Sequence, residues 1–258
     1  MSFEILISLY GSIVGFVVGL VGGGGSVLGV PILTYFAGVS STHIAIGTSA
    51  VTVGVSASLN LILHSRARNV DWRIAYMFSA SGVLGVLLGN QLGLLIASQK
   101  LILSFGLFMI LISIFMFQRT LFRTKSVPIV PYKDAKILSR RVVVIGFASG
   151  VLAGFFGIGG GVLVVPALVA AVGMAPIVAI GTSLVSILSF SIITIVTYSY
   201  HSLIDWNLAA SYTIGALFGT VAGSILCNFL SHFRYVLSAI LASIIGGVGI
   251  FILVRTST

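Results

Sequence analysis

The chain has very little charge. Only 7% of its 258 residues are charged, and just four of them are acidic. Soluble domains carry about 25% charged residues, so this chain cannot cover a water-facing surface. Hydrophobic residues make up 58%, and at about 20 apolar residues per spanning helix the length allows roughly eight to ten membrane segments. We therefore predict an all-α integral membrane protein with no sizeable soluble domain.

Several chemical motifs are also missing. A single cysteine, Cys227, excludes an intramolecular disulfide. The sequence has no GxxxxGK[ST] motif, so ATP does not drive this chain directly. It has no HExxH motif and no Cys/His cluster of the kind that holds zinc. The serines in the apolar runs lack the local histidine that activates a nucleophile. The sequence thus predicts neither an enzyme, nor a metal site, nor another cofactor.

Positive charge is concentrated in one segment. The net charge is +9, which in a soluble protein would suggest nucleic acid. Here the Lys and Arg residues lie in short polar stretches between apolar runs, which is typical of orientation signals in membrane proteins. The most basic stretch, residues 118–141, predicts a cytoplasmic linker between two transmembrane domains, 1–117 and 142–258. A multi-pass protein of the inner (cytoplasmic) membrane is predicted, with no nucleic-acid partner.

The two predicted domains share an ordered set of residues. The matching segments are 15–31 with 150–166, 45–49 with 179–183, and 71–72 with 205–206. They contain a comb of glycines ending in proline, a Gly-Thr-Ser triplet and an Asp-Trp pair. Shared apolar composition would not preserve these features in the same order. We predict two homologous repeats of four segments each.

The relative orientation of the repeats depends on the first apolar run of each. Runs 3–37 and 142–172 are too long for one perpendicular span, and each is interrupted by glycines. If each run is a broken hairpin that returns to its starting side, the repeats are inverted; if each is one tilted span, they are parallel. Loop 64–73 carries three arginines, whereas its counterpart 198–206 carries no Lys or Arg. Loops on opposite sides of a membrane differ in this way, which favours inversion.

The glycine breaks are the first candidate site. Irregular backbone in hydrocarbon persists only where it is buried in protein or lines a cavity. In transporters such breaks form half-helices whose N-termini face anionic substrates. The alternative is close helix packing through small residues, which we prefer for Gly15, Gly19, Gly85 and Gly89. The backbone amides predicted to bind an anion are those of Gly24, Gly25, Ser26, Gly159, Gly160 and Gly161.

The paired Gly-Thr-Ser triplets are the second candidate site. Their hydroxyls belong to Thr48, Ser49, Thr182 and Ser183. Hydroxyls can bind an oxyanion without the desolvation of a buried cation. They can equally bond to their own helix or to a neighbouring one, and both interpretations remain open. A pseudo-two-fold axis would bring the triplets and the glycine breaks together at one central site.

Two of the four acidic residues stand in the repeated Asp-Trp pairs. Asp71 and Asp205 each precede a tryptophan at the start of an apolar run. This arrangement is typical of a helix N-cap followed by an interfacial aromatic anchor. Proton coupling is the less favoured role for these carboxylates.

The doubled motifs resemble those of a known family. The glycine comb ending in Pro31 and Pro166, the paired triplets and the paired Asp-Trp resemble the sulfite exporter TauE/SafE family of membrane permeases. The resemblance covers nearly the whole chain outside the linker. It implies a secondary transporter for small sulfur-containing anions such as sulfite, sulfoacetate or other organosulfonates. An ion gradient would drive it, with the proton as a candidate coupling ion. A passive anion channel and a non-transporting accessory subunit are the alternatives.

Overall fold

The computed structural model describes residues 3–21, 27–121, 135–229 and 234–257. In these ranges the chain forms ten α-helices and one π-helical turn, and no strand. The elements are α1 Phe3–Val21, α2 Gly29–Pro31, the π-helical turn Ile32–Phe36, α3 Thr42–Arg66, α4 Trp72–Leu94, α5 Ser98–Leu121, α6 Ala135–Phe156, α7 Gly161–Val172, α8 Pro176–Tyr200, α9 Trp206–Phe229 and α10 Arg234–Ser257. The all-α prediction is confirmed.

Six of these helices are long and apolar enough to cross a membrane: α3, α4, α5, α6, α8 and α9. Two shorter apolar helices, Glu4–Gly19 and Ala242–Thr256, lie within α1 and α10. Large apolar side chains such as Leu107, Leu111 and Phe218 are more than half exposed. Exposed apolar side chains of this size suit lipid, since large exposed apolar patches are rare on soluble monomers. The prediction of a multi-pass membrane protein is confirmed.

Glycines bring two pairs of helices into close contact. On α1, a Cβ at Gly15 would overlap the carbonyl oxygen of Ala216 on α9, and one at Gly19 would overlap that of Thr220. From the first contact to the second, the residue numbers rise on both helices, so α1 and α9 run parallel. The same holds for α4 and α6, where Gly85 meets Phe147. Small residues allow such backbone contact between membrane helices. The packing role predicted for Gly15, Gly19, Gly85 and Gly89 is confirmed.

Helices α3 and α8 are the most buried of the six candidate spans. Gly47 on α3 packs against Tyr198, near the end of α8, whereas Gly181, near the start of α8, packs against His64. Midway between these contacts, Gly54 meets Ser191. The two central helices are therefore antiparallel.

The α5 and α10 helices form a second antiparallel pair. Gly106, early in α5, meets Ile252, late in α10. Further along α5, the Ser113 hydroxyl donates to the carbonyl oxygen of Ala242 at 2.8 Å. Helix α5 extends to Leu121 and α6 begins at Ala135, so both ends of the predicted linker are helical. The domain boundaries themselves stay a prediction.

Candidate functional site

The second predicted glycine break is present between α6 and α7. Helix α6 ends at Phe156 and α7 begins at Gly161. Between them, Gly157, Gly159 and Gly160 have φ angles of 64°, 65° and 82°. Only glycine adopts this left-handed region readily. The glycines are therefore required by the path of the backbone.

This break lies halfway along the two central helices. A Cβ at Gly159 would stand 2.8 Å from Val53 Cγ1 on α3 and 3.3 Å from Ser191 Oγ on α8. A Cβ at Gly160 would stand 2.9 Å from the Phe190 ring. Non-helical backbone at membrane depth is tolerated when protein surrounds it. The contacts with α3 and α8 meet that condition.

Helix α7 begins at this central position. The first N–H groups of any α-helix have no acceptor within the helix, and they carry the positive end of the helix dipole. In α7 these groups belong to Gly161 and Val162, because the N–H of Leu163 already donates to the Gly160 carbonyl at 3.0 Å. Its first turn is closed by Val164, whose N–H donates to the Gly160 carbonyl at 2.8 Å. The arrangement can attract an anion to the middle of the α3–α8 pair.

A buried hydroxyl faces the same break. The Ser191 side chain is fully buried, and among the described residues its Oγ has no hydrogen-bond partner. Ser56 Oγ and Asn60 Nδ2 on α3 are also buried, and neither has a partner in the part of the chain that the structure describes. In native structures a buried polar atom of this kind is usually satisfied by a water, an ion or a ligand. Nothing in the sequence singles out Ser191, because a lone serine in an apolar helix usually bonds to its own backbone.

The structure does not bring the two Gly-Thr-Ser triplets together. Thr48 lies near the start of α3 and Thr182 near the start of α8. Because these helices are antiparallel, the threonines stand at opposite ends of the pair. Thr182 lies at the level of His64 on α3, because the adjacent Gly181 packs against that histidine. Sixteen residues of α3 separate Thr48 from His64, and at 1.5 Å per residue the two threonines are on the order of 20 Å apart. The single central cluster expected from the sequence is thus not formed by the triplets.

Each threonine bonds to a loop in the other half of the chain. Thr48 Oγ1 accepts a hydrogen bond from the backbone N–H of Asp205 at 3.2 Å. Thr182 Oγ1 accepts one from the N–H of Asp71 at 3.0 Å. Arg68 and Ser202, in the turns before these aspartates, have nearly equal positive φ angles of 55° and 56°. The two ends of the α3–α8 pair are therefore built in the same way.

The serines of the triplets bond within their own helices. The Ser49 hydroxyl donates to the Ile46 carbonyl at 3.0 Å, and the Ser183 hydroxyl donates to the Ile180 carbonyl at 2.7 Å. These bonds match the self-bonding alternative that the sequence left open. Both hydroxyls are buried near the ends of the central pair.

The aspartates of the Asp-Trp pairs are helix N-caps. Asp71 Oδ1 accepts from the N–H of Ile74 at 3.1 Å, and Asp205 Oδ1 accepts from that of Leu208 at 3.0 Å. The tryptophans that follow are exposed, as an interfacial anchor would be. The capping prediction is confirmed. The remaining candidates, Gly24, Gly25 and Ser26, lie outside the described residues.

Replacing Thr182 with valine is expected to destabilise the protein by about 1 kcal/mol. Valine keeps the shape of threonine but removes the oxygen that accepts from Asp71. For a chain of this size, the loss corresponds to a fall in Tm of about 2–4 °C. Thermal unfolding in detergent measures it.

The matched control is Thr197→Val, whose hydroxyl bonds only to the Ile193 carbonyl of its own helix, at 2.9 Å. This variant should melt close to the wild type. Equal melting of Thr182→Val and Thr197→Val would contradict a stabilising contact between the halves.

Comparison with known proteins agrees with this architecture. The family model described as sulfite exporter TauE/SafE matches residues 7–252. A probable membrane transporter protein of Xylella fastidiosa is 39% identical over 246 residues, covering 95% of this chain and 93% of the relative. The probable membrane transporter protein YunE of Bacillus subtilis is 30% identical over 246 residues, covering 87% of this chain and 88% of the relative. No solved structure matches the chain.

The family match spans every helix that surrounds the central break. The membrane-spanning length of the helices agrees with the relatives' description as probable membrane transporters. This chain belongs to the sulfite exporter TauE/SafE family and is a multi-pass membrane transporter.

Proposed function

We propose that this transporter is a secondary permease that carries small sulfur-containing anions, such as sulfite, sulfoacetate or other organosulfonates, across the cytoplasmic membrane. The observation that carries the proposal is the start of α7 at a glycine break halfway along the central helices. Helix N-termini bind anions through free N–H groups and the dipole. Discontinuous helices with this geometry hold the anionic groups of substrates in other transporters.

The proposed permease has two inverted repeats. Repeats related by an axis in the membrane plane place corresponding helices antiparallel, whereas parallel repeats do not. Two observations support inversion: α3 is antiparallel to its sequence counterpart α8, and α5 is antiparallel to α10. The matched bonds of Thr48 and Thr182 across the halves are a third. The predicted domains, 1–117 and 142–258, are the two units.

In this proposal the anion binds at the central glycine break and passes the Gly-Thr-Ser triplets as it enters and leaves. The backbone amides of Gly159, Gly160 and Gly161 hold it at the centre, and Gly24, Gly25 and Ser26 provide the corresponding group in the first repeat. The triplet hydroxyls line the route, Thr48 and Ser49 towards one end and Thr182 and Ser183 towards the other. Rocking of one repeat against the other exposes the centre to each side in turn.

Transport of labelled sulfite into proteoliposomes tests the function. We expect accumulation of label that is stimulated by unlabelled sulfite on the opposite side, because a carrier exchanges substrate and a passive channel does not. Flux without such stimulation would favour the channel. A protein that shows no flux, and no thermal shift with sulfite, thiosulfate, sulfonates or carboxylates, would be the accessory subunit. An imposed pH gradient tests the proton as coupling ion.

Three substitutions test the proposed site. Ser49→Ala, Ser183→Ala and Gly25→Leu each change one candidate group, and at least one of them should lower the flux severalfold. Gly25→Leu should have the largest effect, because leucine crowds the backbone amides assigned to the anion. Flux at the wild-type level in all three variants would show that the assignment is wrong.

A further inference from the structure

Ser191 differs from its neighbours on α8 in how its hydroxyl is used. The Ser189 hydroxyl donates to the Val185 carbonyl of its own helix at 2.8 Å. The Ser186 hydroxyl is within 2.9 Å of the Ser79 hydroxyl on α4. Ser191 is as buried as Ser186 and more buried than Ser189, yet its Oγ has no partner among the described residues. Within that part of the chain it bonds neither to its own helix nor to another helix.

The unpartnered hydroxyl faces the start of α7. Its Oγ lies 3.3 Å from the position that a Cβ on Gly159 would occupy. Helix α7 begins two residues later, and its first N–H groups have no acceptor within the helix. The hydroxyl donor and the first amide donors of α7 therefore belong to the same break. The other side chains nearest the break are apolar: Ile46, Val53, Val164 and Phe190.

Leaving this hydroxyl unbonded destabilises the folded protein, because a buried donor loses its bonds to water and gains none in return. A group of this kind in a native structure implies a water, an ion or a ligand that satisfies it. Beside a helix N-terminus, the fitting ligand is an anion with oxygen acceptors. No buried cation is needed, since hydroxyl and amide donors are neutral.

The position of α3 that corresponds to Ser191 lacks this group. By the spacing of the triplets, Ser191 corresponds to Ala57, which has no hydroxyl. Ala57 instead joins an apolar cluster with Val53, Leu184 and Ile187. A hydroxyl donor is thus available at the second break and not at the corresponding position of α3.

We infer that Ser191 is a binding residue for the transported anion, and that its hydroxyl donates to an oxygen of a small oxyanion head group held at the N-terminus of α7. This inference rests on the proposed function. It makes the second half the principal holder of the anion. A sulfite ion or a sulfonate group presents oxygens of the required kind.

Ser191→Ala in the full-length protein tests the inference, with Ser189→Ala as the matched control. Without ligand, Ser191→Ala should melt at the wild-type temperature or above, because it removes an unsatisfied buried hydroxyl. The Kd of sulfite, followed by tryptophan fluorescence or thermal shift, should rise about tenfold or more, since a bond to a charged acceptor is lost. Ser189→Ala should retain wild-type affinity for sulfite.

The outcomes separate this inference from the proposed function. Binding and flux by the wild type, with unchanged affinity in Ser191→Ala, would overturn the role of Ser191 and leave the function standing. A lower melting temperature of ligand-free Ser191→Ala would also overturn it, because the hydroxyl would then be structural. A wild type that neither binds nor moves sulfite or sulfoacetate would refute the function itself.

A second variant does not depend on the alanine substitution. Ser191→Cys in a Cys227→Ser background places the only thiol of the chain at the break. Position 191 is fully buried, so in the proposed mechanism this thiol reacts with a small maleimide only when rocking of the repeats exposes the break. Sulfoacetate should slow that reaction severalfold, because a bound anion covers the thiol. Equal reaction rates with and without sulfoacetate, in a protein that still transports it, would overturn the inference.

Discussion

Replacing Gly150 with leucine is expected to prevent the protein from accumulating in a folded form. A Cβ at this position would overlap the carbonyl oxygen of Gly82 and would lie 2.8 Å from both its carbonyl carbon and its Cα. All three atoms are backbone, so no side chain can turn away. Helix α6 must therefore separate from α4 along a contact that also includes Gly85 and Gly89.

The size of the effect follows from this geometry. Overpacking a core costs about 1–3 kcal/mol when side chains can adjust, and here two backbones must move instead. Total stabilities are only about 5–15 kcal/mol, so most of the folded population should be lost. Size-exclusion chromatography of the detergent-solubilised protein measures the folded fraction.

Gly247→Leu is the matched control. Gly247 also lies in a long helix, α10, but no heavy atom of the described residues would come within 4 Å of its Cβ. The same substitution there adds an exposed side chain without a clash. We expect a wild-type elution profile. If Gly150→Leu behaved as well as Gly247→Leu, the close contact between α4 and α6 would be wrong.

Replacing Gly159 with alanine is expected to lower transport by on the order of tenfold to hundredfold, while the protein stays folded. The residue has a φ of 65°, a conformation that costs other residues roughly 1–2 kcal/mol. Its new methyl group would also lie 2.8 Å from Val53 Cγ1. The break must shift, and the first amides of α7 shift with it. Proteoliposome flux, normalised to folded protein, measures the effect.

Two further variants separate the effect of backbone strain from the effect of displacing the first amides of α7. Gly38→Ala has the same backbone strain, at a φ of 72°, and no heavy atom in the described ranges lies within 4 Å of the added methyl. This variant should transport normally. Combining Gly159→Ala with Val53→Ala removes the clash and should restore part of the flux. Wild-type flux in Gly159→Ala alone would contradict a central role for the break.

Much of the fold could be predicted from the sequence because its causes are local. The scarcity of charge and the length of the apolar runs indicate that the chain lies in a bilayer and not in water. Hydropathy summed over about 20 residues then locates the spanning helices. The N-caps at Asp71 and Asp205 follow from a side chain that bonds three residues ahead. The packing role of Gly15 and Gly85 follows from the small residue itself.

The candidate site could be predicted only in part. Gly159 and Gly160 are recognisable because poly-glycine is unfavourable in a membrane helix. The hydroxyls are ambiguous: a threonine or serine can bond to its own helix or elsewhere, and the sequence cannot decide between the two. In the structure the threonines bond across the halves, whereas the serines bond within their helices. Ser191 had no distinguishing signal.

The sequence by itself determined that this chain is a helical membrane protein, with a glycine break before α7 and helix caps at Asp71 and Asp205. Each of these features depends on residues that lie close together along the chain. Only the tertiary structure decided that α3 and α8 are antiparallel, that Thr48 meets Asp205, and that Ser191 faces the start of α7. The residues in these contacts lie far apart along the chain. Such contacts depend on how whole helices pack, and no local pattern encodes them.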